Sequence, residues 1–368
     1  MRRYDLDWLR VIVFGLLIFY HVGMLFVPWG FHIKNNVVYD WVMYPMLFLN
    51  QWRLPILFVI SGMGTYFALS KRSAGQFCWE RIKRLFLPLV FGMLVIVPPQ
   101  VYIERLVEGD FAGGYFDYWP FLAFNGIYPV GNLSWHHLWF LPYLLVYSLV
   151  LVPVFIYLRN HPNNSFILWI KRLIQKPAGL FVFIVPLYLL EAFMEPFYPI
   201  HHNLVNDWFN LTNSLLFFLF GYLLMTVKEE FWSMVQHHRK SYLICGVIAF
   251  ASWIALVVSF EDSTLRHFTE AGIKVFNLWS WILALFGYAA TYLNQQSRVL
   301  NYANEAVYPF YILHQSVMIV IASYLINLKW GFFPKASLLI VGTFGLSWLI
   351  YELCVRRWKL IRPLFGLK

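Results

Sequence analysis

A chain of 368 residues that is 60% hydrophobic and only 12% charged cannot cover a water-facing surface, because soluble domains carry about 25% charged residues. Its mean hydropathy of +0.61 excludes a soluble enzyme or binding module. The net charge of +10 points at first to nucleic acid, but the basic residues follow a different rule.

Ten apolar runs of the length that spans a hydrocarbon core lie at 9–28, 42–69, 86–104, 137–158, 179–195, 209–227, 242–260, 272–293, 306–326 and 337–355. Lipid offers no partner to an open backbone, so the expected fold class is an all-α, polytopic membrane protein of about ten transmembrane helices. Alternating strand-length segments of a barrel are absent. With the N-terminus inside, only Lys34, Arg105, Arg266, Lys274, Lys329 and Lys335 fall in outer loops, and Arg53 falls within a span. That leaves 21 of the 28 Lys and Arg residues on the inner side. The asymmetry predicts cytoplasmic N- and C-termini. One transmembrane domain, 1–368, is expected, with no soluble domain or low-complexity linker.

The first run opens on AspLeuAspTrpLeuArg (5–10) and contains His21 among Val, Ile, Leu and Phe. Eleven residues separate Arg10 from His21, so in a helix both lie on one face, roughly 16 Å apart along the axis. Ionisable groups inside a bilayer are costly and mark function by default. The alternative is a flanking arginine and a satisfied interior histidine. Asp7, one turn before Arg10, either steadies the guanidinium or serves as an acidic N-terminal cap. No small-residue cleavage site follows, so the run is not read as a cleaved signal peptide.

The second run reads AsnGlnTrpArgLeuProIleLeuPheValIleSerGlyMetGlyThr over 50–65. Arg53 either snorkels to the outer interface or is buried for a purpose. Ser61, Gly62 and Gly64 are small enough to admit a neighbouring helix, and Pro55 favours a kink. Ser61 lacks a Gly-x-Ser-x-Gly context and is not read as a nucleophile. Arg81, Lys83 and Arg84 then form the most basic inner segment, which is either a cytoplasmic flank or a phosphate grip.

The longest outer loop, 105–135, is rich in Gly, Tyr and Trp and leads into SerTrpHisHisLeuTrpPheLeuPro (134–142). Trp135 and Trp139 fit an aromatic belt, or stacking on a sugar ring together with the unusual His136–His137 pair. Glu191 and Glu195 stand near the outer end of the fifth run. Few ionisable groups follow until TyrProPheTyrIleLeuHisGln (308–315), where His314 and Gln315 either bond across helices for packing or serve the chemistry. Cys78, Cys245 and Cys354 are too scattered for a disulfide framework or a metal site, and no metal is expected. From these residues alone, an enzyme and a proton-coupled transporter both remain open.

Five stretches in order, AspTrpLeuArg with Arg10-x10-His21, ProIleLeuPheValIleSerGly (55–62), ArgIleLysArgLeuPheLeuPro (81–88), HisLeuTrpPheLeuPro (137–142) and TyrIleLeuHisGln (311–315), resemble the membrane acyltransferase 3 family. The opening and AsnGlnTrpArgLeuPro are similar to the branch that modifies periplasmic glucans with succinyl groups. Met63 stands where the family commonly has Phe, and no hydrolase-like domain follows the helices, so the chain works alone or with a separate partner. The resemblance implies an O-acyltransferase of the bacterial inner membrane, with acyl-CoA as co-substrate and no permanently bound cofactor. A small acyl group, acetyl or succinyl, would pass to a hydroxyl of a glycan or similar acceptor at the outer face. Arg10, with Arg81, Lys83 or Arg84, would hold the donor's phosphates. His21 would be the general base or a transient acyl carrier. Arg53, His137, Trp139, Glu191 and His314 are expected to meet the acceptor.

Overall fold

A backbone that meets no water in lipid has to pair with itself, and in the computed structural model it does so through helices. The structure describes residues 2–176 and 178–368, and among these only an isolated bridge, Ile127 to Leu133, is strand-like. Nine described helices are long and apolar enough to cross a membrane, or ten if a bent pair is one span. In chain order they are α1 (Tyr4–Met24), α2 (Asp40–Leu69), α3 (Ala74–Glu108), the bent pair α4 (His136–Val150) and α5 (Val152–Asn160), α7 (Gly179–Phe197), α8 (Trp208–Thr226), α9 (Lys228–Ser259), α10 (Thr264–Tyr292), α11 (Arg298–Leu325) and α12 (Phe332–Val355), with a short helix too small to cross, α6 (Ser165–Ile174), between α5 and α7.

Each expected run has its helix, but some edges move. The first helix begins at Tyr4 and stops at Met24, short of 28, because the chain turns back: the amides of Asn35 and Tyr39 donate to the carbonyls of Leu25 and Phe26 at 2.9 and 2.8 Å. Residues 228–241, expected as a loop, form the first turns of α9. Glu229 and Glu230 suit a helix N-terminus, and Phe231, Trp232 and Val235 bury one side of those turns. The fourth run is broken: α4 and α5 meet at 48°, where Pro153 cannot continue the α4 ladder.

α3 shows how prolines open carbonyls that other parts of the fold then use. Two wide, π-type turns, Ile82–Phe86 and Gly92–Ile96, interrupt it beside Pro88 and Pro98. A proline cannot bond the carbonyl four residues earlier. For Pro88 that carbonyl belongs to Arg84, and it accepts the Tyr308 hydroxyl at 2.8 Å. For Pro98 it belongs to Leu94, and it accepts the Trp119 indole N–H at 3.0 Å. The Ile96 carbonyl, left by the second wide turn, accepts the Ser316 hydroxyl at 2.5 Å.

The chain divides into two compact units. The first comprises Met1–Arg10, Asn50–Trp79 and Val146–Leu300. Within it α2 and α8 touch backbone to backbone at Gly62 and Gly221. A Cβ on Gly62 would lie 1.9 Å from the Phe218 carbonyl oxygen, and one on Gly221 2.0 Å from that of Val59. Arg159 donates to the carbonyls of Leu69 and Arg72 at 2.9 and 3.1 Å, closing the C-terminal end of α2. Trp279, fully buried, packs among Phe183, Phe217 and Phe220.

The second unit comprises Val11–Leu49, Glu80–Leu145 and Asn301–Lys368. Its core joins Val22 of α1 and Leu25 and Phe26 just after it to Met318, Ile319 and Ala322 of α11 and to Leu339 of α12. The first loop is pinned onto this core by Lys335. Its buried ammonium donates to the Asn35 and Asn36 side chains and the Ile326 carbonyl, at 2.6, 3.1 and 2.9 Å. Three donors meet three acceptors, so the buried charge is satisfied. Arg105 orders the loop between α3 and α4 by donating to the carbonyls of Pro129 and Gly131 at 2.6 and 3.1 Å.

Candidate active site

The second unit gathers an unusual number of imidazoles and amides. His21 leaves α1 one turn before its C-terminal end, and His314 leaves α11 five residues after Pro309. The His21 Nδ1 lies 2.8 Å from His314 Nε2, and the rings stack at 5.0 Å with 13° between planes. His314 Nδ1 in turn lies 2.7 Å from the Tyr311 carbonyl oxygen. A carbonyl only accepts, so His314 carries its proton on Nδ1 and presents a lone pair at Nε2. His21 therefore donates from Nδ1, and its own lone pair is on Nε2. His314 is fully buried, whereas His21 is partly exposed. Of the two, His21 is the less buried.

Around this pair runs a polar network in which each tautomer follows from its neighbour. Glu104, 3% exposed, accepts the Tyr128 hydroxyl at 2.9 Å and is bonded to His32 Nδ1. The His32 Nε2 accepts one amide N–H of Gln315 at 3.1 Å. The other Gln315 N–H goes to Gln100 Oε1 at 3.0 Å. Gln100 spends its own two N–H groups on the Ser316 hydroxyl at 2.6 Å and on His137 Nδ1 at 3.2 Å. His137 closes the chain by donating from Nε2 to the Ile312 carbonyl at 3.0 Å. Its ring stands edge-on to His314 at 5.2 Å. His136 stands edge-on to both His32 and Tyr128, at 4.4 and 4.6 Å.

Outside the spans, burial and the neighbouring Glu104 carboxylate push the Tyr128 phenol above its ordinary range, which keeps it a donor. Lys34, whose ammonium caps the C-terminal end of α1 at the Met24 carbonyl, is lowered by burial to about 8.

The sequence-expected residues divide between the units. His21, His137, Trp139 and His314 fall in the second, with Arg81, Lys83 and Arg84. Both ring nitrogens of His137 are held by protein groups, so it supports the site rather than reaching out of it. Trp139 is 9% exposed and edge-on to Tyr143 at 5.1 Å, buried rather than displayed as a belt residue. The Arg84 guanidinium donates to the Gly366 carbonyl at 3.3 Å. Arg10, Arg53 and Glu191 belong to the first unit. Arg10 sits 3.8 Å from Asp7 at the start of α1, one turn away as the spacing required. Arg53 is 2% exposed, so it is buried and does not snorkel. Glu191 faces Lys274 at 3.6 Å. Sequence reasoning missed His32, Gln100 and Glu104. Gln100 and Glu104 stand four apart near the end of an apolar run, which was a visible signal; His32 in a loop gave none. Among the described residues no three His, Cys, Asp or Glu side chains converge on a metal position.

Comparison with known proteins places this arrangement in context. A family described as an acyltransferase domain, acyltransferase 3, matches residues 3–352. The glucans biosynthesis protein C of Escherichia coli O139:H28 (strain E24377A) is 23% identical over 371 residues, covering 96% of this chain and 92% of that protein. Its counterparts in Escherichia coli SMS-3-5 and Shigella dysenteriae serotype 1 (strain Sd197) are 23% identical over 367 residues, with the same coverage. No solved structure matches the chain.

Proposed function

Because the chain belongs to the acyltransferase 3 family, and is thus a multi-pass membrane O-acyltransferase, we propose that it transfers a small acyl group, acetyl or succinyl, from cytoplasmic acyl-CoA to a hydroxyl of a glucan or related glycan. The acceptor would stand at the outer face of a bacterial inner membrane. The glycan part of the reading draws on the relatives named for glucan biosynthesis. The inner membrane is drawn from the bacterial source of those relatives and from the bias of basic residues.

The observation that bears most weight is the His21–His314 pair, which leaves the partly exposed His21 with a lone pair at Nε2. In the proposed step, Nε2 takes the proton from the acceptor hydroxyl while its oxygen attacks the thioester carbonyl. The carbon–sulfur bond breaks, and the thiolate leaves with the proton returned from His21. While His21 is an imidazolium, its Nδ1–H bond to His314 becomes charge-assisted and strengthens. Positioned general-base help of this kind is worth about 10²–10⁴-fold. Arg10, three helical turns before His21 in α1, is proposed to grip donor phosphates through its planar fork, and Arg81, Lys83 and Arg84 are proposed separately as cationic candidates for the same role. Arg53, His137, Trp139, Glu191 and His314 were the acceptor candidates. Of these, His137 and His314 are now assigned to supporting the base.

The test is thiol release by purified protein given acetyl-CoA or succinyl-CoA, with and without a β-glucan, alongside mass spectrometry of the glucan. Glucan-dependent release with a matching mass gain is expected. Release of no thiol from either donor, under conditions where the protein remains folded, would refute the donor assignment.

A further inference from the structure

His314, Gln315 and Ser316 are consecutive on α11, so their side chains leave the helix about 100° apart and meet different elements. His314 meets α1 at His21, Gln315 meets the first loop at His32 and α3 at Gln100, and Ser316 meets α3 at Ile96 and Gln100. One turn earlier the Tyr311 hydroxyl donates to the His137 carbonyl at 2.7 Å, and the Ile312 carbonyl accepts from His137. This turn lies just beyond Pro309, which cannot bond the Glu305 carbonyl. The helical ladder alone therefore holds the turn less firmly than an unbroken helix would, and side-chain tethers set its rotation.

Those tethers have one consistent arrangement of protons. Both N–H groups of Gln315 and both of Gln100 are spent, and every acceptor they meet is a lone pair. The order starts at Glu104, whose carboxylate can only accept and so fixes the His32 proton on Nδ1. Fully satisfied buried networks of this kind rigidify what they join.

We propose that Glu104, His32, Gln315 and Gln100 are positioning residues of the acyl transfer, holding the His314-bearing turn of α11 against His21. The proposal rests on the reading of His21 as the base. None of the four needs to touch the donor, so their loss should act on turnover rather than on donor binding.

The experiment is a mutant cycle on the full-length purified protein, reading kcat, donor KM and melting temperature. Gln315→Met keeps length and removes both N–H groups, and Glu104→Gln keeps shape and removes the anion that orders His32. Each is expected to lower kcat about tenfold with donor KM within about twofold, and to lower the melting temperature without unfolding the protein at the assay temperature. On a His21→Gln background, Gln315→Met is expected to cost nothing further, because there is no base left to position. A purely structural role would lower the residual rate again. If either variant fails to fold, Tyr128→Phe, which withdraws one donor from Glu104, is expected to lower kcat two- to threefold with the same lack of additivity. Wild-type kcat in Gln315→Met and Glu104→Gln, a loss confined to KM, or an additive loss with His21→Gln would overturn the proposal. Near-normal turnover in His21→Gln alone would instead sink the reading of His21 itself.

Discussion

An imidazole can act as a base when one nitrogen holds the proton and the other keeps a lone pair, and the contact between α1 and α11 sets that division of roles in His21 and His314. His21 and Arg10 were legible because each interrupts an apolar run, where an ionisable group is costly enough to be noticed. His314 was legible as a polar residue in a span, but its partner was not, since the contact joins residues 293 apart in sequence. His32 was invisible for the same reason, as only folding brings it to Glu104 and Gln315. His202, in the loop before α8, illustrates a different residue-scale effect. Burial lowers it to about 4, against the opposing pull of Asp207. An imidazole depressed in the folded state is bound by fewer protons there than in the unfolded chain. Stability is therefore full above about 6.5 and declines as pH falls from there toward 4. Melting of the purified protein should track that window. His202→Asn, which tolerates the left-handed φ of 57°, should flatten the acid side of the curve. An unchanged acid limb in that variant would assign the titration elsewhere.

At the scale of elements, the prolines and glycines explain where helices open and where they touch. Pro88 was visible in sequence, but the use made of its orphaned carbonyl was not, because Tyr308 arrives from another helix. Tyr308→Phe should remove a donor from an exposed carbonyl and cost only about 0.5–1.5 kcal/mol, measurable as a slightly lower melting temperature. The small-residue stretch around Ser61 was read correctly as a contact face, though spacing could not tell Gly62 from Gly64. The structure separates them, since a Cβ on Gly62 strikes the Phe218 carbonyl while one on Gly64 meets nothing within 4 Å. Gly62→Ala should therefore destabilise by about 1–3 kcal/mol or more, as overpacking does, while Gly64→Ala stays near wild type. Equal melting temperatures for the two variants would contradict the α2–α8 crossing.

For the whole molecule, hydrophobic run length located the nine helices long enough to cross a membrane and the bent pair, because the thickness of lipid imposes a length that sequence cannot disguise. Edges were less legible where amphipathic turns continue a helix beyond its apolar part, as at 228–241 in α9. The expected orientation follows from basic residues alone, so it calls for its own measurement. A cysteine at Gly113 should react with an impermeant maleimide from outside intact cells, and labelling only after permeabilisation would invert the map. The central claim is that His21 is the base of the transfer. The measurement that tests it most directly is single-turnover acyl transfer by His21→Gln beside His314→Gln, with donor binding and melting followed in parallel. The account predicts a fall of about two orders of magnitude or more for His21→Gln, with acyl-CoA still bound and the fold intact. A smaller fall is predicted for His314→Gln, whose amide oxygen can still accept from His21. Near-normal turnover in His21→Gln, with His314→Gln inactive, would contradict it.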